Sequence, residues 1–133
     1  MKFMKFGTYL ILCLMLASCA TKQEKAAIAE LKLKHDEIWA LSKEQSKTEE
    51  FYNYLNDIFL PITNKFRLDL RGNCYRLPGR NTRLVLHIAE NGLIEKVSGW
   101  PEGKRLNCYK KSFIGIVLPP PPFSPLLMNM TFE

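Results

Sequence analysis

Four cysteines and two histidines are the residues of this chain with chemistry to offer: Cys13, Cys19, Cys74, Cys108, His35 and His87. A thiol can be acylated, oxidised to a disulfide or, with further ligands, bound to a metal. Neither histidine lies near Cys74 or Cys108 in sequence, so these spacings do not assemble a metal set. His87 has no serine or cysteine nucleophile motif around it and reads as a polar-face residue of a strand. His35 reads as a helix-surface residue. The sequence carries no glycine-rich phosphate loop, paired-carboxylate site or zinc motif. The expectation is a protein that is not an enzyme and needs no cofactor or metal.

The two early cysteines sit in an export pattern. Lys2 and Lys5 precede an apolar stretch from Phe6 to Leu16, and Leu16-Ala17-Ser18-Cys19 follows. A basic start, a short apolar centre and small residues at a cleavage point make a secretory signal. The apolar run is about eleven residues, against the roughly twenty that a membrane-spanning helix needs. Leu16-Ala17-Ser18-Cys19 resembles the lipobox of bacterial lipoproteins. The resemblance implies a diacylglyceryl group on the Cys19 thiol and cleavage after residues 1–18, with acylation of the new amino terminus. Two or three acyl chains anchor a protein in effect permanently. Ala20, where an Asp would redirect the protein, implies the outer membrane, with the chain facing the periplasm.

Cleavage leaves about 115 residues, enough for one small domain and a tether but not for two cores. The formal charge falls from +6 to +4 as Lys2 and Lys5 leave. That modest excess suits anionic headgroups or an acidic protein partner. Nucleic acid is excluded as a partner, because the chain is exported and its Lys and Arg are mixed with Glu and Asp. With Cys13 removed and Cys19 lipidated, Cys74 and Cys108 remain. In an oxidising compartment one disulfide is their simplest fate. Two buried free thiols are the alternative.

The elements that must position these residues are legible by period. Thr21 to about Gln45 reads as a charged amphipathic helix, with Ile28, Leu31, His35, Ile38 and Trp39 on one face. It is either a spacer or partner helix above the membrane, or a helix packed on its own domain. Ser46 to Phe66 is a second helical segment, with Ser46 and Glu49 as a capping box and Phe51, Leu55, Ile58, Phe59 and Ile62 facing inward. Pro61 is expected to kink or interrupt it. Tyr52 and Tyr54 fall off that face, as partly buried tyrosines or as contact residues. After a loop over Arg67–Asn81, Leu84, Leu86 and Ile88 alternate with Arg83, Val85, His87 and Ala89, as in a half-buried strand. Asn91-Gly92 marks a hairpin turn, and Leu93 to Ser98 returns as the second strand. Glu102 to Gly115 reads as a helix, Pro119 to Pro122 as an extended connector, and Leu126 to Phe132 as a third strand. The fold class is α+β: a small three-stranded antiparallel sheet packed with helices and preceded by an amphipathic helix. The domain proper is placed at 48–133, behind a tether and helix at 19–47.

The order helix, hairpin, helix, prolines, strand resembles the C-terminal domains of the energy transducers TonB and TolA, and TolA in detail. The matching marks are Lys65-Phe66, Gly72 before Cys74, Asn91-Gly92 in the turn, Cys108 in the next helix, Pro119–Pro122, and a last strand ending at Phe132. The resemblance covers about Thr48 to Glu133. Tyr75 to Thr82 stands as an insertion relative to that family. The resemblance implies a Cys74–Cys108 disulfide and a sheet edge that receives extended peptides. It places that edge on Leu126, Leu127, Met128, Asn129, Met130, Thr131 and Phe132. The family's inner-membrane helix and long helical middle are replaced here by a lipid anchor and one short helix. Energy transduction by that route is therefore not expected. The implied partners are periplasmic or envelope proteins, Tol-Pal components among them. The alternative is a phage- or plasmid-borne decoy that intercepts phage coat protein or colicin.

Overall fold

The structure, a computed structural model, describes residues 4–66 and 74–133, with side chains over 21–64 and 74–133. The element order is α1 (Met4–Gln45), α2 (Glu49–Tyr54), a π-helical turn Leu55–Phe59, α3 (Leu60–Phe66), a 3-10 turn Cys74–Arg76, β1 (Thr82–Ile88), β2 (Ile94–Trp100), α4 (Lys104–Phe113) and β3 (Leu126–Phe132). Three antiparallel strands lie in the order β2-β1-β3, so the α+β class read from the sequence is the class observed. The chain divides within α1 into two compact units, one ending at Lys34 and the other His35–Glu133.

In the first unit, residues 21–34 are exposed throughout, the apolar Ile28, Leu31 and Leu33 included. Glu30 and Lys34 form an exposed i,i+4 ion pair at 2.7 Å, worth about 0.3–0.5 kcal/mol. Among the described residues, no helix is long and apolar enough to cross a membrane.

The second unit is built on two sequence periods. Leu84, Leu86 and Ile88 of β1 place their side chains on one sheet face, with Val97 and Ile94 opposite on β2 and Leu126 and Met128 opposite on β3. Leu106, Tyr109 and Phe113, at the three- and four-residue spacings of a helix face, cover them from α4, and Phe51, Tyr54 and Phe59 add to the same core. Tyr109 stacks on Phe132 at 4.4 Å between ring centroids, joining α4 to the end of β3.

Val85 points to the opposite face and is also fully buried, as are its neighbours Leu84 and Leu86. The half-buried strand of the sequence reading is therefore covered on both sides. The end of α1 supplies the second cover. The Arg83 guanidinium lies 5.3 Å from the centroid of the Trp39 ring, and Asn129, opposite Val85 in register, donates from Nδ2 to Ser42 O at 3.2 Å. His35 and Ser42 are buried, not surface residues, so a helix packed on its own domain is the outcome for residues 35–45. Fully burying a valine contributes roughly 1.5–3 kcal/mol, which only a sheet covered on both faces can gain at Val85.

Two local expectations change. The cap of α2 is Thr48, whose Oγ1 accepts from Phe51 N, while Ser46 Oγ turns back to donate to Lys43 O. The helix passes Pro61 without stopping, but the turn before it widens: Leu60 N–H bonds to Leu55 O, five residues back. Proline offers no N–H and its ring crowds the carbonyl four residues earlier, and a wider turn makes room. In the hairpin, Gly92 has φ +86°, and a Cβ there would lie 1.7 Å from Leu118 O. Only glycine admits both the turn and the chain packed beside it.

Candidate binding edge

A three-stranded sheet has two edges, and each offers a row of backbone N–H and C=O groups. The outer edge of β2 is partly taken. Ile94 N–H donates to Ile116 O at 2.8 Å, Gly115 N–H to Ile94 O at 2.9 Å and Leu118 N–H to Gly92 O at 2.9 Å. The chain leaving α4 thus pairs with the start of that strand.

The outer edge of β3 is closed at its start and open at its end. Leu127 N–H donates to Gln45 Oε1 at 2.7 Å, and Gln45 Nε2 donates to Pro125 O at 3.0 Å. Leu127 N–H therefore points away from β1. Direction alternates with period two, so the N–H and C=O groups of Asn129 and Thr131 point outward as well. Among the described residues, no group pairs with those four. Exposure follows the same division: Leu127 is buried, Asn129 half-buried and Thr131 exposed.

The proposed strand residues divide accordingly. Leu126, Met128 and Phe132 are core, and their side chains are closed to a partner. Asn129, Met130 and Thr131 keep accessible side chains. Asn129 has a structural duty toward Ser42 that its position in a strand pattern did not announce. Gln45 and Ser42 carry no binding signature in the sequence. Their only sequence signal was their place at the end of a predicted helix.

Cys74 and Cys108 are joined, with Cα atoms 5.4 Å apart, and the disulfide ties the 3-10 turn before β1 to α4. Residues Tyr75–Thr82 lie within the loop it closes. Ser112 Oγ donates to Cys108 O and sits 3.5 Å from Cys74 Sγ. The side chain of Cys19 and the marks at Lys65-Phe66 and Gly72 lie outside the residues described in full.

Other polar groups serve the fold. Arg105, 6 % exposed, donates to Arg80 O and to Glu133 O, both at 3.2 Å, and so holds the loop before β1 to the end of β3. His87 Nε2 and Ser98 Oγ lie 2.9 Å apart across the hairpin. Burial, and then Lys96, hold the His87 imidazole below its ordinary pKa, opposed by Glu95. Tyr54 OH donates to Pro119 O at 2.7 Å, and burial pushes its phenol up to about 12. Tyr52 is 63 % exposed, so of the two tyrosines it is the one open to contact. An open groove of about 400 Å³ separates Glu50, Tyr54 and Asp57 from Pro120 and Pro122. Among the described residues, no cluster of His, Cys, Asp and Glu could hold a metal ion.

Comparison with protein-family models, with curated proteins and with solved structures finds no match for this chain.

Proposed function

We propose that this chain is an outer-membrane lipoprotein, held by acylated Cys19, whose His35–Glu133 unit binds envelope proteins by strand addition to the outer edge of β3. The observation that carries the reading is the half-open edge. The outward N–H and C=O groups of Asn129 and Thr131 have no pairing group among the described residues, and Thr131 is exposed. Backbone hydrogen bonds supply affinity in such a mode, and alternate side chains supply selectivity. The Leu-Ala-Ser-Cys sequence at 16–19 and the order of elements over 48–133 support the reading through their resemblance to lipoproteins and to TolA C-terminal domains. Lipidation would keep the edge in the periplasm, where extended segments of envelope proteins are within reach.

The test uses proline at Thr131. Proline cannot donate, and an edge strand tolerates it where its N–H faces outward. A periplasmic protein captured by the wild-type chain should be lost by Thr131→Pro while circular dichroism shows the variant folded. Capture unchanged by folded Thr131→Pro sinks the strand-addition reading. Cys19→Ser should leave the protein without palmitate label and in the soluble fraction. Label that persists on this variant sinks the lipoprotein reading.

A further inference from the structure

The Gln45 carboxamide does at the β3 edge what a partner strand would do. It donates to Pro125 O and accepts from Leu127 N–H. These are the two bonds that one residue of a parallel strand makes opposite Leu126: its N–H to the carbonyl before, its C=O from the amide after. We infer that Gln45 is a built-in competitor for the edge, a latch at the end of α1 that an incoming strand must displace before it can pair along the whole of β3. The inference rests on the strand-addition reading and adds a regulated length to it. With Gln45 seated, an added strand can use Asn129 and Thr131. With Gln45 displaced, it gains Leu127 and Pro125 O.

Three features make this contact a latch. It is made by one side chain at the last position of α1, so release needs one carboxamide to swing away while the core stays packed. Gln45 is half-buried; its bond to Pro125 O is exposed, so water can enter there first, while its bond from Leu127 N–H is partly buried and is what a displacing strand has to replace. The neighbouring Asn129 Nδ2 to Ser42 O bond ties the same turn of α1 to the same strand, so a partner that pulls on one contact loads the other.

The experiment compares the wild-type mature chain with Gln45→Ala and Gln45→Glu by amide hydrogen exchange and by titration. The titration probe is a synthetic peptide of this chain's own residues 126–133. The Leu127 amide should exchange at least about tenfold faster in Gln45→Ala, the loss of one protecting hydrogen bond. The Leu84 and Leu86 amides should be unchanged, showing an intact sheet. Glutamate retains the acceptor, so Gln45→Glu should keep Leu127 protected. The peptide should bind Gln45→Ala roughly tenfold or more tightly than wild type, the cost of displacing two bonds being gone. Leu127 exchange that is the same in wild type and Gln45→Ala overturns the latch, whatever the peptide does. Faster exchange with no difference in peptide binding overturns its competing role. Thr131→Pro added to Gln45→Ala separates the two readings. If it leaves a tightened affinity untouched, strand addition at this edge fails while the Gln45 contact stands.

Discussion

Breaking the Cys74–Cys108 disulfide should cost this domain about 4 kcal/mol. The bond spans 34 positions and its loop contains the whole β1–β2 hairpin. In the chain-entropy account, closing a loop of that length removes roughly 12–13 cal/mol/K from the unfolded chain, or about 4 kcal/mol at 25 °C. That is a large share of the 5–15 kcal/mol typical of a folded domain. The perturbation has two forms, reduction of the wild-type chain and the double variant Cys74→Ala with Cys108→Ala. The assay is urea unfolding followed by circular dichroism. With an m-value of about 1.5 kcal/mol/M, the midpoint should fall by roughly 2–3 M. The m-value should also rise, because an uncrosslinked unfolded chain exposes more surface. The double substitution should cost about 1 kcal/mol or more beyond reduction, because alanine also removes the sulfur of Cys74, a buried member of the core against which Cys108 packs. A midpoint that moves by less than about 0.5 M in both forms refutes the reasoning, because the loop term would then be absent or already met by structure in the unfolded state.

Gly99→Ala should destabilise by about 1–3 kcal/mol, an overpacking cost, because a Cβ there meets Leu106 Cδ1 at 2.1 Å and Leu84 Cδ2 at 3.0 Å; thermal unfolding checks it. Tyr54→Phe should cost about 0.5–1.5 kcal/mol through the lost bond to Pro119 O. The raised phenol of Tyr54 also sets a pH window. Its folded value of about 12 stands above 10.0, so its contribution is whole below pH 10 and is lost as pH rises toward 12. Urea midpoints measured at pH 9 and 11 should fall less between the two in Tyr54→Phe than in wild type. Asn129→Ala should lower stability by about 0.5–1.5 kcal/mol through the Ser42 contact while sparing the backbone donor at that position, which separate unfolding and binding measurements will distinguish.

Strong periods made the sheet legible. Leu84-Leu86-Ile88 and Leu126-Met128 alternate, Asn91-Gly92 marks the turn, and Leu106, Tyr109 and Phe113 keep helical spacing; each places a side chain that the structure finds in the core. The second cover of the sheet was not legible. Val85 sits at a position that alternation assigns to solvent, and its burial depends on the end of α1, more than 35 residues earlier in the chain. Local period cannot report a contact of that separation. Ser46 and Glu49 satisfy the capping-box pattern, but the backbone places Thr48 where Phe51 N–H can reach it. Pro61 announces a disturbance but not its kind, since widening and kinking are both answers to the same missing N–H. The pattern over Leu126–Phe132 marks the edge only as a whole strand. Its division into a plugged and an open half comes from one side chain, Gln45, whose reach no sequence pattern encodes.

The decisive measurement for strand addition is amide hydrogen exchange across β3, with and without any protein that the mature chain proves to capture from periplasmic extract. If a strand adds at this edge, the Asn129 and Thr131 amides, fast in the free chain, become protected in the complex by an order of magnitude or more. Amides of the helix bearing Tyr52 should be unaffected. Unchanged exchange at Asn129 and Thr131, with new protection around Tyr52 and the groove lined by Glu50 and Asp57, would contradict it.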